Sequence, residues 1–381
     1  MLPIRYRTTI EALVALAVRG LPASYIPETA EFAQTVRAVR TSRGVELVRE
    51  GTSLRYAAIV ALGLARLRAS EQEGVLGDIS VEDLLSVVRK RAMSSTDPGA
   101  IALAAWAAAE ACGSPDPSLL ERLGTILAAG SPVPTVDTAW MLTAAVASLR
   151  AAGTPGGPAA EVARVTRDIL LEGQGRHGIF PHALPATSLG RWRAHIGCFA
   201  DQVYPIQALA RLAAFHDDPA ALAGANRAAE LICALQGDAG QWWWHYDARD
   251  GSVVERFPVY SVHQHAMAPM ALFDLAAAGG DDHRASIIRG LGWLDTHPEV
   301  LPDLVSHGRG QVWRKVGRRE PAKAARKISA VTTSLRQGWH LPWLQMVLPP
   351  NQVDYECRPY ELGWLVYAWR SANALTDAEQ P

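Results

Sequence analysis

The sequence predicts an all-α fold, on three observations. Apolar residues recur at helical spacing over long windows, Gly, Pro and Asp clusters punctuate those windows, and alternating strand-like stretches are few. Ser252 to Val259 is the best of these, as part of a small hairpin. The first apolar stretch, Ile10 to Val18, is interrupted by Glu11 and closed by Arg19, which reads as an amphipathic helix over 8–19 and not as a signal peptide. Helices over 30–41, 53–69 and 80–93 follow. Gly113-Ser-Pro-Asp-Pro117 then separates 98–112 from 117–129, and Gly153-Thr-Pro-Gly-Gly157 separates 136–152 from 158–172. His216-Asp-Asp-Pro219 divides 200–216 from 218–236, and Gly279-Gly-Asp-Asp282 divides 260–278 from 282–296. A last helix covers 359–375.

The connections are asymmetric. Short turns leave the helices that begin near 98, 136, 200 and 260, whereas long segments, 173–199, 237–259 and 297–358, enter the later ones. Short turns make antiparallel helix pairs. Five pairs run from 53 to 296, and the final helix 359–375 pairs with 8–19 to close a sixth. The expected architecture is a single (α/α)6 toroid spanning 1–381, with inner helices around a cavity and the long loops on one face. An open helical solenoid is the competing arrangement.

Composition bounds the function. The 381 residues carry 37 basic and 38 acidic side chains, a net charge of -1, which gives no whole-chain case for nucleic-acid or membrane-surface binding. No run approaches the ~18–20 apolar residues of a membrane span. Cys112, Cys198, Cys233 and Cys357 lie far apart, as reduced thiols of a cytoplasmic protein would. Trp is unusually abundant: 12 against 9 Tyr and 6 Phe.

Two segments share a pattern. Gln236-Gly-Asp-Ala-Gly240-Gln-Trp242 has the form Q-x3-G-x-W, and Gln174-Gly-Arg-His-Gly178-Ile-Phe180 has the form Q-x3-G-x-F. This resembles the Gln-Trp repeat of squalene-cyclase-like terpenoid cyclases and their prenyltransferase relatives, which share the α/α toroid. Glycan-processing toroids carry similar Gln…Gly-Gly-aromatic turns. Pro134-Thr-Val-Asp137-Thr-Ala139 also resembles the Asp-x-Asp-Asp-Thr-Ala stretch of class II cyclases, with Thr135 and Thr138 in place of its outer acids. The resemblance covers 130–275. It implies the toroid and, on the cyclase side, Asp137 as a proton donor.

In a ring of this kind the N-termini of the inner helices converge on one mouth, where unpaired N–H groups favour anions. Their first turns carry Arg55, Tyr56, Asp97, Asp137, Asp201, Gln202, Tyr204, Tyr260, His263, Gln264, His265, Arg358, Tyr360 and Glu361. The entering loops add Arg191, Trp192, Arg193 and His195, and the run Trp242-Trp243-Trp244-His245-Tyr246. Asp137, Asp201, Tyr260, His263 and Glu361 are the candidate acid–base groups; Arg55, Tyr204, Trp242, Trp243, His245, Tyr246, Gln264 and Arg358 are candidate substrate contacts. Asp97, Asp137 and Asp201 are equally readable as helix-start carboxylates. No metal is expected, because His263 and His265 are two apart on a helix and no H-x3-H spacing occurs. No cofactor is expected either, for want of a P-loop or dinucleotide fingerprint.

The connection 297–358 holds Arg309, Arg314, Lys315, Arg318, Arg319, Lys323, Arg326 and Lys327, with Glu320 the acid among them. It reads as a solvated charged loop or as a cradle for a uronate, phosphate or diphosphate over 309–327. Trp313, Trp339, Trp343, Trp364 and Trp369 extend the aromatic set. The first functional expectation is a carbohydrate-active enzyme, a hydrolase, lyase or epimerase, working by acid–base chemistry on a sugar or uronate. The alternatives are a terpenoid-cyclase-like enzyme and a non-catalytic binding toroid; the partner is an oligosaccharide or isoprenoid, and not a nucleic acid or a membrane span.

Overall fold

The computed structural model describes residues 4–153 and 156–371. Among them α1 (Ile4–Gly20) is followed by α2 (Leu54–Leu64), α3 (Ala69–Leu76) and α4 (Val81–Ser94). Three hairpins come next: α5 (Pro98–Cys112) with α6 (Pro117–Ala128), α7 (Thr135–Ala152) with α8 (Pro158–Gly173), and α9 (Ala200–His216) with α10 (Pro219–Ala234). Then come α11 (Ala268–Ala277), α12 (Arg284–Thr296), α13 (Ala324–Leu335), α14 (Pro342–Val347) and α15 (Pro359–Ser371).

Helices α2, α5, α7, α9, α11 and α15 pack side by side into a closed ring, α15 against α2. Helices α4, α6, α8, α10 and α12 back the first five, and α1 backs α15. This is an α/α toroid. Composition explains the two layers. α5, Pro98 to Cys112, is rich in alanine and buried from Gly99 through Ala109 because it touches neighbours on every side. α8 buries Val162, Ala163, Thr166 and Leu170, one stripe facing inward. The inter-helix turns are short because their ends are chemically specified. Gly113 and Gly153 take left-handed caps at φ 62 and 64, and Asp116 and Asp218 accept first-turn N–H bonds ahead of a proline. At the closing seam, a Cβ on Gly63 would meet the Gly363 carbonyl oxygen at 2.5 Å, so α2 and α15 approach backbone to backbone.

The two glutamine motifs act as clasps. Gln174 donates to the Gly178 carbonyl at 2.9 Å and to Gly224 of the next outer helix at 2.8 Å, while Arg227 donates to Gln174 Oε1. Gln236 repeats the pattern on Gly240 at 2.6 Å and Ser286 at 3.0 Å, with Arg289 on its Oε1. Each glutamine thus ties one outer helix to the next and satisfies loop carbonyls. Trp242, the motif's final aromatic, is fully buried, and a Cβ on Gly290 of α12 would collide with its ring.

The sequence expectation fails at 30–41. Glu31–Thr41 is a strand paired antiparallel with Gly44–Thr52. Its β-branched residues Thr35, Val36, Val39 and Thr41 suit a sheet, and only Phe32, Ala33, Thr35 and Val36 are buried. The long connection 297–358 holds α13 and α14, which the helical periodicity did not mark. Residues 372–375 of the expected last helix lie outside the described residues. The Trp run is not a loop: Trp243–Asp247 is a strand between Ile196–Cys198 and Val253–Pro258.

Before α11 the chain makes a π turn, His263–Met267, where Ala268 N–H reaches back to His263 O. Pro269 has no N–H to offer the His265 carbonyl, and the Trp369 indole donates to it instead at 2.6 Å.

The middle of the ring is filled. Trp106 of α5 meets Trp364 of α15 with ring centroids 5.4 Å apart, although α2 lies between those helices. Trp364 donates to the Tyr204 hydroxyl of α9 at 2.8 Å, and Tyr204 packs edge-on against Trp140 of α7 at 4.9 Å. Contacts that skip an intervening helix run through the axis. These rings plug it, and Tyr204, expected on the substrate, belongs to the plug.

Candidate active site

Arg55 stands in the first turn of α2 and bridges two neighbouring helix starts. Its guanidinium donates to Asp97 through Nε, at 2.7 Å, and Nη2, and to Asp137 through Nη1 and Nη2 at 2.8 and 3.0 Å. Asp97 also caps α5 by accepting Gly99 N–H at 3.1 Å. Gly99 must lack a side chain: a Cβ there would strike Asp137 Oδ1 and come within 2.6 Å of Arg55 Cζ. Burial pushes the Asp137 carboxyl up against the pull of Arg55. Burial also works against Asp97, but Arg55 wins there and holds it below the usual carboxylate range.

One helix further round, Asp201 of α9 is fully buried and accepts Cys198 N–H at 2.7 Å through Oδ2. The same oxygen sits 3.0 Å from His182 Nδ1. That bond and the charge of Asp201 raise the His182 pKa. With Nδ1 engaged, Nε2 is the ring nitrogen left for chemistry. His182 comes from the long loop after α8, two residues beyond Phe180, and was not among the candidates. The Q-x3-G-x-F motif was the signal that could have located it, since the motif brings this loop to the start of α9.

His182 and Cys198 line a cleft of about 590 Å³ with Trp192, Arg193, Trp244, His245, Lys323, Arg326 and Lys327. Arg326 lies over the Trp244 indole at 5.4 Å. A second hollow of about 300 Å³ shares Lys323 and Arg326 and continues past Tyr260, Lys315 and Arg318. Tyr260 stacks on Trp244 at 4.2 Å with Arg314 over its other side at 4.4 Å.

Several expected groups lie elsewhere. His263 is buried edge-on to Trp244 and Phe199, and burial together with Arg314 drives its pKa down to about 3. His265 is driven to about 3 by burial as well. Both are neutral core imidazoles at ordinary pH, and Gln264 between them is fully buried. Trp242 and Tyr246 are fully buried too. Trp243 donates to the Leu235 carbonyl at 2.8 Å, and Tyr246 lies 3.3 Å from Trp243 N, accepting its N–H. His245 lines the cleft but rests against Glu255 at 3.4 Å. His195 is buried against Thr333 at 3.0 Å. Arg358 donates to the Tyr56 hydroxyl at 2.9 Å.

Glu361 is buried beside Arg314, at 3.8 Å, and away from both hollows. Burial pushes its carboxyl up to about 8, with Arg314 opposing. A group raised on folding stabilises fully below its unfolded value of about 4.5 and loses that contribution as pH climbs towards 8. Glu361→Gln is therefore expected to gain on the parent protein between pH 5 and pH 8. Urea unfolding at both pH values measures this; a stability difference equal at both would contradict it.

Four of the eight basic residues over 309–327 meet acids, from Glu255 and from the end of the same connection. Arg314 meets Glu356 at 3.1 Å, Lys315 meets Asp354 at 2.9 Å, and Arg318 and Arg326 both engage Glu255. Burial would raise Glu255, but His245 and these arginines bring it down to about 2. Lys323 and Lys327 stay exposed.

For a metal, His182, Cys198 and Asp201 each offer one ligand atom, all within 4.8 Å of one another. This grouping was invisible to a search for fixed spacing. His182 Nδ1 and the Cys198 backbone N–H are already held by Asp201 Oδ2, and burial keeps the pKa of the Cys198 thiol well above its ordinary value. At the opposite end of the ring a separate cavity of about 510 Å³ is lined by Arg66, Glu110, Arg150, Arg211 and Asp274.

No protein-family model matches the chain, and no curated protein matches it. Solved structures do. An unsaturated glucuronyl hydrolase specific for heparin superposes with a TM-score of 0.58 at 12% identity over 98% of each chain. A possible member of the GH105 family from Salmonella enterica subsp. enterica serovar Paratyphi A gives 0.58 at 11%, covering 99% of this chain and 97% of that one. The unsaturated glucuronyl hydrolase of Bacillus sp. GL1, responsible for glycosaminoglycan degradation, gives 0.52 at 12% over 97% of each. The chain has their toroid fold. The terpenoid-cyclase side of the resemblance finds no support among them.

Proposed function

We propose that this chain is an enzyme that cleaves uronate-bearing sugar chains by proton transfer at the N-terminal mouth. One observation carries the reading. A single cleft joins His182, which Asp201 holds, the indoles of Trp192 and Trp244, and the cations Arg193, Lys323, Arg326 and Lys327. Indoles stack on sugar rings, and the cations neutralise a carboxylate, which acidifies the proton beside it. His182 Nε2 takes the C5 proton of a uronate, the electron pair forms the C4–C5 double bond, and the C4–O bond breaks. The imidazolium returns the proton to the departing oxygen. Asp201 acts through His182, by fixing its tautomer and stabilising its charge.

Hydrolysis is the second reading. The raised Asp137 carboxyl, within electrostatic reach of Asp201 and His182, favours it as a proton donor while His182 activates water. The toroid fold shared with glucuronyl hydrolases supports both readings.

Ultraviolet absorbance of the conjugated uronate separates them. Elimination on an intact polyuronate is expected to raise it, and hydrolysis of an unsaturated oligouronide to abolish it. New reducing ends without an absorbance change would indicate hydrolysis of a saturated chain. Activity on neutral oligosaccharides alone, or full activity in His182→Asn, would remove the proposal.

A further inference from the structure

We infer that the face formed by α13, α14 and the segment between them docks onto an anionic lipid bilayer surface. In α14, Trp343, Met346 and Val347 fall at helical i, i+3, i+4 positions and point outward, with 52, 82 and 65% of their surface exposed, while Leu344 faces in. Leu335 and Trp339, 57 and 44% exposed, extend the apolar face back to the end of α13. The stripe that would normally meet a core here meets solvent, and exposed apolar side chains concentrated within one short stretch of chain mark a docking site.

Charge identifies the occupant. From residue 321 to 353 the sequence has no Asp or Glu. Arg336 is exposed within the face, and Arg256 is exposed beside it, its carbonyl accepting from Gln345 of α14 at 2.9 Å. Arg191 borders the other side, where its carbonyl accepts from Ser334 at 2.9 Å and its guanidinium lies over exposed Trp192 at 4.1 Å. Basic groups flanking an outward stripe of Trp, Met, Leu and Val match a bilayer with anionic headgroups: the cations stay at the headgroups and the indoles sit at the boundary. A soluble anionic polymer would satisfy the arginines and leave the apolar stripe wet. No helix among the described residues is long and apolar enough to cross a membrane, so docking is peripheral. The near-zero net charge of the whole chain hid this local asymmetry.

The face adjoins the cleft, since Val331 of α13 lines it. The inference stands on exposure and charge and does not depend on the proposed activity, so its test uses no substrate. Full-length protein is sedimented with vesicles of phosphatidylcholine alone or mixed with phosphatidylglycerol, at low and high salt. Binding is expected to the mixed vesicles only, to weaken with salt, and to come with a blue shift of Trp fluorescence. Trp343→Ser with Met346→Ser, both exposed, is expected to lower partitioning about tenfold or more. Arg336→Glu with Arg256→Glu is expected to remove the preference for anionic lipid; thermal unfolding checks that both variants remain folded. No sedimentation with either vesicle overturns the inference, as does binding unchanged in both variants. Self-association without lipid that the Trp343→Ser, Met346→Ser variant loses also overturns it, and assigns the face to a second copy.

Discussion

Replacing Arg211 by methionine is expected to lower the unfolding free energy by about 1.5–3 kcal/mol, the usual cost of removing hydrogen bonds to part-buried charges. Arg211 is the centre of a cross-ring network beneath the aromatic plug. It donates to Glu110 of α5 at 2.7 Å, to Asp274 of α11 at 2.7 Å and to the Tyr367 hydroxyl of α15 at 2.5 Å. Tyr367 and Trp106 donate in turn to Glu110, at 2.5 and 2.6 Å. Methionine fills much of the same space but leaves two carboxylates without their shared cation. The pH dependence gives a second check. Burial would raise the Glu110 carboxyl, but Arg211, Tyr367, Trp106 and Arg66 bring it down to about 2. A depressed acid stabilises above its unfolded value of about 4.5 and loses that contribution as pH falls towards 2. The gap between parent and variant should thus be widest at neutral pH and narrow on acidification. Urea unfolding at pH 7 and pH 4 measures it; a gap below about 1 kcal/mol at pH 7 would show that the network is not a tie.

Asp201→Asn is expected to reduce turnover of a uronate-bearing chain by roughly 10²–10⁴-fold, the range for a disabled acid–base group. Asparagine can still accept the Cys198 N–H, so the start of α9 is kept. What it loses is the negative charge beside His182 Nδ1. Because that charge raises the His182 pKa, the limb of the pH–rate profile set by His182 should move to lower pH in the residual activity. A purely structural role for Asp201 would lower the rate without moving the limb. His182→Asn and the double variant should be about as slow as each other, since groups that work as one unit are not additive.

The toroid was readable because its punctuation is local. Gly113, Gly153, Asp116 and Asp218 write helix ends into the sequence at positions that need no tertiary contact to act. The hairpin starting at Glu31 was not readable, because its Ala and Arg residues blur the alternation and its pairing partner is the only thing that selects a strand. The mouth was half readable. First-turn position placed Arg55, Asp137 and Asp201 at helix starts, and the run of aromatics flagged Trp244. Which ones share a cleft depends on the loop path after α8, and no spacing rule encodes that; hence His182 was overlooked while His263 was favoured. The basic connection misled in the other direction. Its partners Glu255, Asp354 and Glu356 lie outside 309–327, so half of the cations in a stretch that reads as free charge are paired.

The plug of Trp106, Trp140, Tyr204 and Trp364 has a consequence for traffic. A toroid open along its axis could thread a polymer from one side to the other. This one is closed along that route: what enters at the inner-helix N-termini leaves by the same end, and the far cavity beside Arg66, Glu110 and Arg211 opens on the opposite side of the plug.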